Sequence, residues 1–376
     1  MNSKNLNISL LVGAGISYHT GIPKMDELTN HILNGIVSEG HTDYIKNPNG
    51  NIIAFLNIIK DEIIDYYKIL NIEYNINYES IFDVIDQIDN VLRQRNDNPA
   101  ISQLIKKLLK LYDNELNEIK NVCHDSILYI KSVLLSYLNS SQCPYYFNIF
   151  EKIQELSNKP LNIFTLNHDN LLENFFGKNL IKFIDGFEFN PAANYSLWNP
   201  NLFDCTQKIK LLKLHGSISW YRLSEKSNNS KTIGYAKFFE KPMGYKINLT
   251  DGKEAEFWEP IFFLTGINNK YLDYNSSIFL RLFYYFQKLL DSTNNLIVSG
   301  YSFGDNGINL RLIDWFINDS NRKLIIICPN KDSLISSAKG AMQKRLKDFP
   351  SIRLKFIPKC FEKVTIEDIN EKINEY

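Results

Sequence analysis

The chain begins with an apolar strand that runs directly into a glycine turn. Residues 8–17 read ISLLVGAGIS, and Gly21-Ile22-Pro23 follows shortly afterwards. Because Gly13 and Gly15 have no Cβ atom, the backbone can turn sharply there and pass close to a ligand. A helix behind such a turn points free N–H groups at a pyrophosphate. The feature predicts an α/β fold with a nucleotide-phosphate site, and a tight structural turn is the alternative, because Tyr18 replaces the third glycine of the dinucleotide fingerprint.

Three later apolar stretches also end in polar residues. They are residues 163–169 (IFTLNHD), 211–217 (LLKLHGS) and 296–305 (LIVSGYSFGD). Short, continuously apolar segments are typical of parallel strands that are buried on both faces. In an open parallel sheet, ligands bind beyond the carboxyl ends of the strands. We therefore predict that these four strand ends line one shared site.

Composition limits the function classes without choosing among them. Lys plus Arg equals Asp plus Glu at 42 each in 376 residues, so the net charge offers no general attraction to nucleic acid or to an anionic membrane. The five cysteines are scattered and form no Cys-x-x-Cys pair. No secretory signal and no run of membrane-span length is present, so we expect a cytoplasmic protein without a metal site.

The spacing of the motifs predicts a large helical insert. The interval between the first two strands is far longer than one crossover helix needs. Within it, apolar residues recur at helical spacing over residues 52–70 and 101–138. We expect one domain over residues 1–376, with a helical insert at about 40–155.

A second and smaller insert is expected at about 222–260, where a polar stretch is followed by short alternating segments. Further on, residues 333–346 are predicted to form one helix.

The motifs together resemble those of the sirtuin superfamily. They occur in the order of that family, from residue 8 to about residue 330, and comprise Gly13-Ala14-Gly15-Ile16-Ser17, Gly21-Ile22-Pro23, Thr165-x-Asn167-x-Asp169, Leu214-His215-Gly216 and Gly300-Tyr301-Ser302-Phe303-Gly304-Asp305. The resemblance implies a Rossmann-like parallel sheet with the large helical insert and the small second insert.

Two departures separate the chain from the sirtuin deacylases. Those enzymes carry Phe-Arg where this chain has Lys24-Met25-Asp26, and two Cys-x-x-Cys pairs that hold zinc, which this chain lacks. The small insert is therefore expected to lack the zinc module. The segment Gly300–Asp305 instead resembles the sirtuin-like NAD hydrolases of bacterial antiphage defence. We assign no role to Asp26.

The resemblance implies that Asn167 and His215 are a catalytic pair acting on NAD. An amide can donate to and accept from ribose hydroxyls or a water molecule. An imidazole titrates near neutrality and can take a proton from a ribose hydroxyl or from water. Taken alone, each residue is more typical of a turn or loop position, and the glycine turn and the family order of the motifs reverse that preference.

The other NAD contacts implied by the resemblance fall into two groups. Ser17 is expected to cap the first helix and to contact phosphate, whereas Asp169 either orients Asn167 or caps a helix; the latter role is favoured. His168 is interpreted as incidental. The full set of expected binding residues is Gly13, Ala14, Gly15, Ser17 and Asp169, together with Gly300, Ser302, Asp305 and Asn330, of which Ser302, Asp305 and Asn330 would line the adenosine half.

The function implied is NAD glycohydrolase activity that yields nicotinamide and ADP-ribose and depletes NAD in antiphage defence. Such an enzyme requires control, so we expect a homo-oligomer and a separately encoded sensor, such as a HerA-type ATPase or a short Argonaute. Direct binding to nucleic acid or to a membrane is not expected. The alternatives are an NAD-dependent protein deacylase and a non-catalytic NAD or ADP-ribose binding module, and a cyclised product remains open.

Overall fold

The fold was analysed in a computed structural model of the chain. It describes residues 6–36, 50–72, 74–95, 97–138, 142–189, 193–206, 209–225, 228–238, 246–249, 252–257, 260–262 and 277–375. The described residues form two compact units. One combines those within 6–21, 142–262 and 277–375, and the other those within 22–138.

The strands all belong to the first unit. In chain order they are β1 (Ile8–Val12), β2 (Leu161–Thr165), β3 (Phe187–Phe189), β4 (Tyr195–Trp198), β5 (Ile209–Lys213), β6 (Gly216–Glu225), β7 (Asn228–Phe238), β8 (Lys246–Asn248), β9 (Glu254–Glu256), β10 (Pro260–Phe262), β11 (Asn295–Ser299), β12 (Lys323–Ile327) and β13 (Leu354–Ile357).

The α-helices divide between the units, with the first five in the second unit. They are α1 (Met25–Leu33), α2 (Gly50–Ile69), α3 (Tyr78–Leu92), α4 (Ser102–Leu111), α5 (Leu116–Leu138), α6 (Ile149–Leu156), α7 (Leu171–Lys178), α8 (Ser277–Asp291), α9 (Asn306–Asn318), α10 (Lys331–Ser337), α11 (Ala341–Asp348) and α12 (Ile366–Asn374). Short 3₁₀ helices cover Ala14–Ser17, Pro99–Ile101, Tyr145–Asn148, Pro200–Asp204 and Phe361–Lys363. Among the described residues, no helix is both long enough and apolar enough to cross a membrane.

A six-stranded parallel sheet in the order β13-β12-β11-β1-β2-β5 forms the centre of the first unit. Strands β1, β2, β5 and β11 are buried along their whole length, as the apolar runs predicted. From β1 the chain builds outward to β2 and β5 on one side, and later to β11, β12 and β13 on the other. The order therefore reverses between β1 and β11, where open α/β sheets form a ligand crevice. The predicted Rossmann-like parallel sheet is confirmed.

A second, antiparallel sheet belongs to the same unit. Its order is β3-β4-β7-β6-β9-β8, and β10 pairs with β6. Tyr195, Tyr221, Phe238 and Phe257 lie in its buried apolar cluster. The sheet includes strands of the segment where the small insert was expected, together with strands that precede it.

The second unit has its own helical core. Apolar residues on successive turns of α2 and α3 are completely buried, for example Phe55 and Ile59 on α2 and Ile81 and Ile85 on α3. Helices occur where the apolar spacing predicted them, although the boundaries of the insert stay a prediction. The expected single helix over residues 333–346 was wrong: α10 ends at Ser337 and α11 begins at Ala341. Gly340 between them has a φ of +61°, which cannot continue a right-handed helix.

Three glycines join the loop after β1 to the loop after β11. A Cβ atom on Gly13 would lie 2.6 Å from the Gly300 carbonyl oxygen, and one on Gly15 would lie 2.6 Å from the Gly300 Cα. The main-chain amides of Gly13 and Gly15 are also hydrogen-bonded to the end of β11 and the loop after it. Gly13 N donates to Ser299 O (3.0 Å), and Gly15 N donates to Gly300 O (2.9 Å). Close backbone packing thus accounts for these glycines, and these two amides are already paired within the protein.

Replacing Gly300 with alanine is expected to destabilise the chain. Its φ is +66°, and a Cβ atom would lie 2.5 Å from Ile16 N. We expect a loss of about 1–3 kcal/mol in the free energy of unfolding, measured by urea denaturation. Gly177→Ala is the control, since Gly177 lies in α7 with open space around its Cβ position. A Gly300→Ala chain as stable as this control would contradict the interpretation.

Candidate active site

The register of two neighbouring strands places Asn167 and His215 at the same level of the sheet. Thr165 of β2 pairs with Lys213 of β5, and each predicted catalytic residue lies two positions further along its chain. Leu214 N donates to Thr165 O at 2.9 Å, which extends the pairing beyond the strands. Asn167 and His215 are 8% and 6% exposed. The structure therefore places both on adjacent loops at the carboxyl edge of the sheet.

Asn167 links this edge to the loop after β1. Its Nδ2 donates to Ser17 Oγ at 3.2 Å, and its main-chain N donates to Thr165 Oγ1 at 3.1 Å. Ser17 is the last residue of the 3₁₀ helix Ala14–Ser17 and is buried. The expected α-helix directly behind the glycine turn is absent, because the next helix begins only at Met25. Ser17 therefore does not cap a first α-helix as predicted; its hydroxyl anchors the Asn167 amide.

His215 contacts a carboxylate from the loop after β11, across the position between β1 and β11 where the strand order reverses. Its Nε2 lies 3.1 Å from Asp305 Oδ2, while Asp305 Oδ1 accepts from the amides of Gly307 (2.8 Å) and Ile308 (3.1 Å) at the start of α9. Asp305 is expected to line the adenosine half; its carboxylate lies against His215 in the structure, and its contact with NAD stays a prediction. A carboxylate at this distance favours the tautomer protonated at Nε2 and stabilises the imidazolium. The arrangement makes His215 suitable for accepting a proton at Nδ1.

The loop that carries Asp305 is fixed by its own side chains. The Tyr301 hydroxyl accepts from Asp305 N at 3.1 Å and lies 2.9 Å from Asn309 Oδ1. Asn309 Nδ2 donates to the carbonyl of Phe303 at 2.8 Å, and Phe303 has a φ of +56°. These contacts hold the Asp305 carboxylate at the start of α9. The Tyr301 hydroxyl and the Phe303 carbonyl thus have a structural role in this motif.

His168, interpreted as incidental, lies against His215. The two imidazole rings are stacked with centroids 5.9 Å apart. The His168 carbonyl accepts from Ile218 N at 3.1 Å, and two residues further on the Asn170 side chain accepts from Ser217 Oγ at 2.9 Å. The loop after β2 is thus hydrogen-bonded to the beginning of β6. The contact between the two imidazole rings was not predicted from the sequence.

The Asp169 side chain hydrogen-bonds to the start of α7 rather than to Asn167. Its Oδ1 accepts from Leu171 N at 3.1 Å, one position before the N-cap residue Asn170. Burial raises the pKa of this carboxyl group, against the opposing effects of the Lys213 charge and the Leu171 amide. Asp169 thus hydrogen-bonds to the first residue of α7, as the capping interpretation expects, although the N-cap position itself belongs to Asn170.

Several of the remaining predicted binding residues are exposed to solvent. Ala14, Gly15, Ser302 and Asn330 are exposed, and the Asn330 side chain accepts from Ser333 N at 2.9 Å as the N-cap of α10. Within the described part of the chain, no group of three or more His, Cys, Asp or Glu side chains could hold a metal ion. Contacts with NAD stay a prediction for this set: Gly13, Ala14, Gly15, Ser17, Asp169, Gly300, Ser302, Asp305 and Asn330.

Comparison with protein families gives one decisive match. The model of the SIR2-like domain matches residues 161–349, just over half of the chain. The chain belongs to the SIR2-like domain family. The match includes both loops that carry the Asn167 and His215 pair, and also Asp305.

Solved structures similar to this SIR2-like chain include two Sir2 homologues with bound nucleotides. One is a mutant in complex with ADP-ribose, with 12% identity and a TM-score of 0.38, covering 92% of this chain and 91% of that chain. The other is a complex with NAD, with 11% identity and a TM-score of 0.35, covering 98% and 90%. A comparison with curated proteins found no match. The family assignment rests on the family model rather than on these distant likenesses.

Proposed function

We propose that the chain is an NAD glycohydrolase that releases nicotinamide and ADP-ribose. The observation that carries the proposal is the placement of Asn167 beside His215 at the carboxyl edge of the sheet, with His215 Nε2 on the Asp305 carboxylate. Membership of the SIR2-like family supports NAD as the substrate.

The proposed reaction requires little acid catalysis, because nicotinamide leaves NAD as a neutral group. The ribose C1 passes through an oxocarbenium-like state. Asn167 binds a ribose hydroxyl or the attacking water. Water adds to C1 as the bond to nicotinamide breaks, and its proton passes to His215, whose positive charge Asp305 stabilises. Burial of the pair limits the access of other nucleophiles.

Protein deacylation is the competing function, and its usual zinc cysteines and Phe-Arg segment are absent from the sequence. The deciding experiment incubates the chain with NAD, with and without an acylated peptide. We expect equal release of nicotinamide in both samples, with ADP-ribose as the second product. Release that requires the peptide would establish deacylation. NAD binding without turnover, at all chain concentrations and with candidate sensors, would indicate a binding module.

We further propose that this activity depletes NAD in antiphage defence, in the cytoplasm, under the control of self-association or of a sensor such as a HerA-type ATPase or a short Argonaute. The candidates for a symmetric interface are the apolar residues Ile81, Phe82, Val84 and Ile85 and the aromatic cluster of residues 283–286. Most of them are buried, namely Ile81, Phe82, Ile85, Phe283, Tyr285 and Phe286. Tyr284, at 55% exposure, is the exception among these aromatic residues. Light scattering and NAD consumption over a concentration series test self-association; a monomer with full, concentration-independent activity would contradict it.

Two substitutions of Asp305 are expected to separate its two roles. Asp305→Asn keeps an oxygen for the Gly307 and Ile308 amides but loses the charge beside His215, so NAD turnover falls while stability changes little. Asp305→Ala also removes the helix cap and is expected to cost a further ~0.5–2 kcal/mol of stability. Turnover and urea denaturation of both variants are compared. Wild-type turnover in Asp305→Asn would show that the contact with His215 has no catalytic role.

A further inference from the structure

A buried cation lies between the loops that carry the candidate pair. Lys213 is the last residue of β5, and it is 1% exposed. Its Nζ donates to the main-chain carbonyl of Asp169, on the loop after β2. The same Nζ lies 3.0 Å from Glu173 Oε1 in α7. A buried ammonium group is tolerated when it is both paired and hydrogen-bonded, and Lys213 meets both conditions.

Glu173 depends on this lysine. The residue is buried, and among the described residues neither carboxylate oxygen accepts a hydrogen bond of good geometry. The close charge of Lys213 is therefore its principal compensation, with a weaker electrostatic contribution from Lys237. Removing Lys213 would leave a buried carboxylate without its nearest partner.

The position of Lys213 in the chain gives this contact its significance. Lys213 precedes His215 by two residues, and its acceptor Asp169 follows Asn167 by two residues. One side chain thus connects the strand that leads to His215 with the loop that carries Asn167. Main-chain pairing between the two segments continues to Leu214 N and Thr165 O, and the Lys213 ammonium adds a connection to the Asp169 carbonyl, beyond Asn167.

We propose that Lys213 is a positioning residue, which fixes the Asn167–Asp169 loop relative to His215 by donating to the Asp169 carbonyl. The inference rests on the proposed function, since the spacing between Asn167 and His215 affects turnover only if this pair acts on NAD. Small displacements of reacting groups can lower turnover by about 10²-fold. Lys213 does not contact the substrate in this account; it acts through the loop.

Lys213→Met is the central variant, and Lys210→Met is its matched control. Lys210 is also a buried lysine of β5 that donates to a main-chain carbonyl, that of Phe203 at 2.7 Å, but it lies near the other end of the strand. We expect kcat to fall by about 10²-fold in Lys213→Met with little change in KM. The Lys210→Met chain is expected to keep kcat within a few-fold of wild type. Equal losses in both variants would overturn the proposal.

A double variant separates positioning from stability. Lys213→Met/Glu173→Gln removes the unpaired carboxylate together with the lysine, so its Tm is expected to recover relative to Lys213→Met. The Asp169 carbonyl still lacks its donor, so kcat is expected to stay low. If kcat recovered together with Tm, Lys213 would act through stability alone, and the proposal would be wrong.

Hydrogen exchange gives a measurement that does not require NAD hydrolysis. Peptides covering residues 166–172 are expected to exchange faster in Lys213→Met than in wild type, but not in Lys210→Met. Unchanged exchange in Lys213→Met would overturn the positioning role. If Lys213→Met exchanges faster but the wild-type protein does not hydrolyse NAD, the role of Lys213 in holding the loop is supported and the proposed function is refuted.

Discussion

Replacing His215 with alanine is expected to lower NAD turnover by about 10²–10⁴-fold, the usual contribution of a positioned general base. In the proposed mechanism, the imidazole accepts the proton of the attacking water and Asp305 stabilises the resulting charge. His215 is buried, so urea denaturation of the variant accompanies the kinetic measurement and separates a loss of packing from a loss of the base.

The control for this variant is His124→Ala. His124 is an exposed residue of α5, in the helical unit, so its removal should affect neither stability nor turnover strongly. Initial rates of nicotinamide release are compared at saturating NAD. A His215→Ala chain that is folded and retains a rate near that of His124→Ala would exclude His215 as the base.

Replacing Asn167 with alanine is expected to lower kcat strongly while NAD affinity changes much less. In the proposed mechanism, the amide acts on the reacting ribose or the water, and the rest of the dinucleotide is expected to contact other residues. Calorimetric titration with NAD and steady-state kinetics measure the two effects separately. A variant that lost affinity and kept kcat would show that Asn167 only contributes binding energy.

Ser17→Ala provides the comparison for Asn167. It keeps the amide but removes the hydroxyl oxygen to which Asn167 Nδ2 donates. We expect a smaller loss of kcat than in Asn167→Ala, because a side chain that is less well held still spends part of its time in the productive arrangement. An equal or larger loss would indicate that the Ser17 hydroxyl itself has a direct role.

The sequence was sufficient to predict the sheet and the edge at which the site lies. Continuous apolar runs identify strands buried on both faces, and polar residues directly after them must gather at one edge of a parallel sheet. Asn167 and His215 could be placed together on this basis, because each follows its strand at the same distance. The helices of the insert were likewise evident from the spacing of their apolar residues.

Contacts between distant loops could not be predicted in the same way. The partnership of Asp305 with His215 depends on how the loop after β11 folds, which is set by Tyr301, Asn309 and the left-handed backbone of Phe303. The glycines after β1 suggested close approach to a ligand, but a Cβ on Gly13 or Gly15 would collide with Gly300. In both cases the partner is remote in sequence, and local patterns carry no information about it.

The break between α10 and α11 has the same origin. Residues 333–346 have acceptable helical spacing, yet Lys339 N donates to the carbonyl of Phe303, on the loop that carries Asp305. Gly340 then takes a positive φ and lets the chain change direction. A tertiary contact thus overrides the local preference for one continuous helix.

Quantifying all products of NAD turnover in the wild-type and His215→Ala chains is the most direct test of the central claim. The reaction is followed by chromatography, at chain concentrations raised stepwise and without an acyl acceptor. We predict one nicotinamide and one ADP-ribose for each NAD consumed by the wild-type chain, and almost no consumption by the variant. NAD consumption at the same rate in both chains would contradict the account. So would the absence of consumption by a wild-type chain that binds NAD, at every chain concentration and with the candidate sensors added.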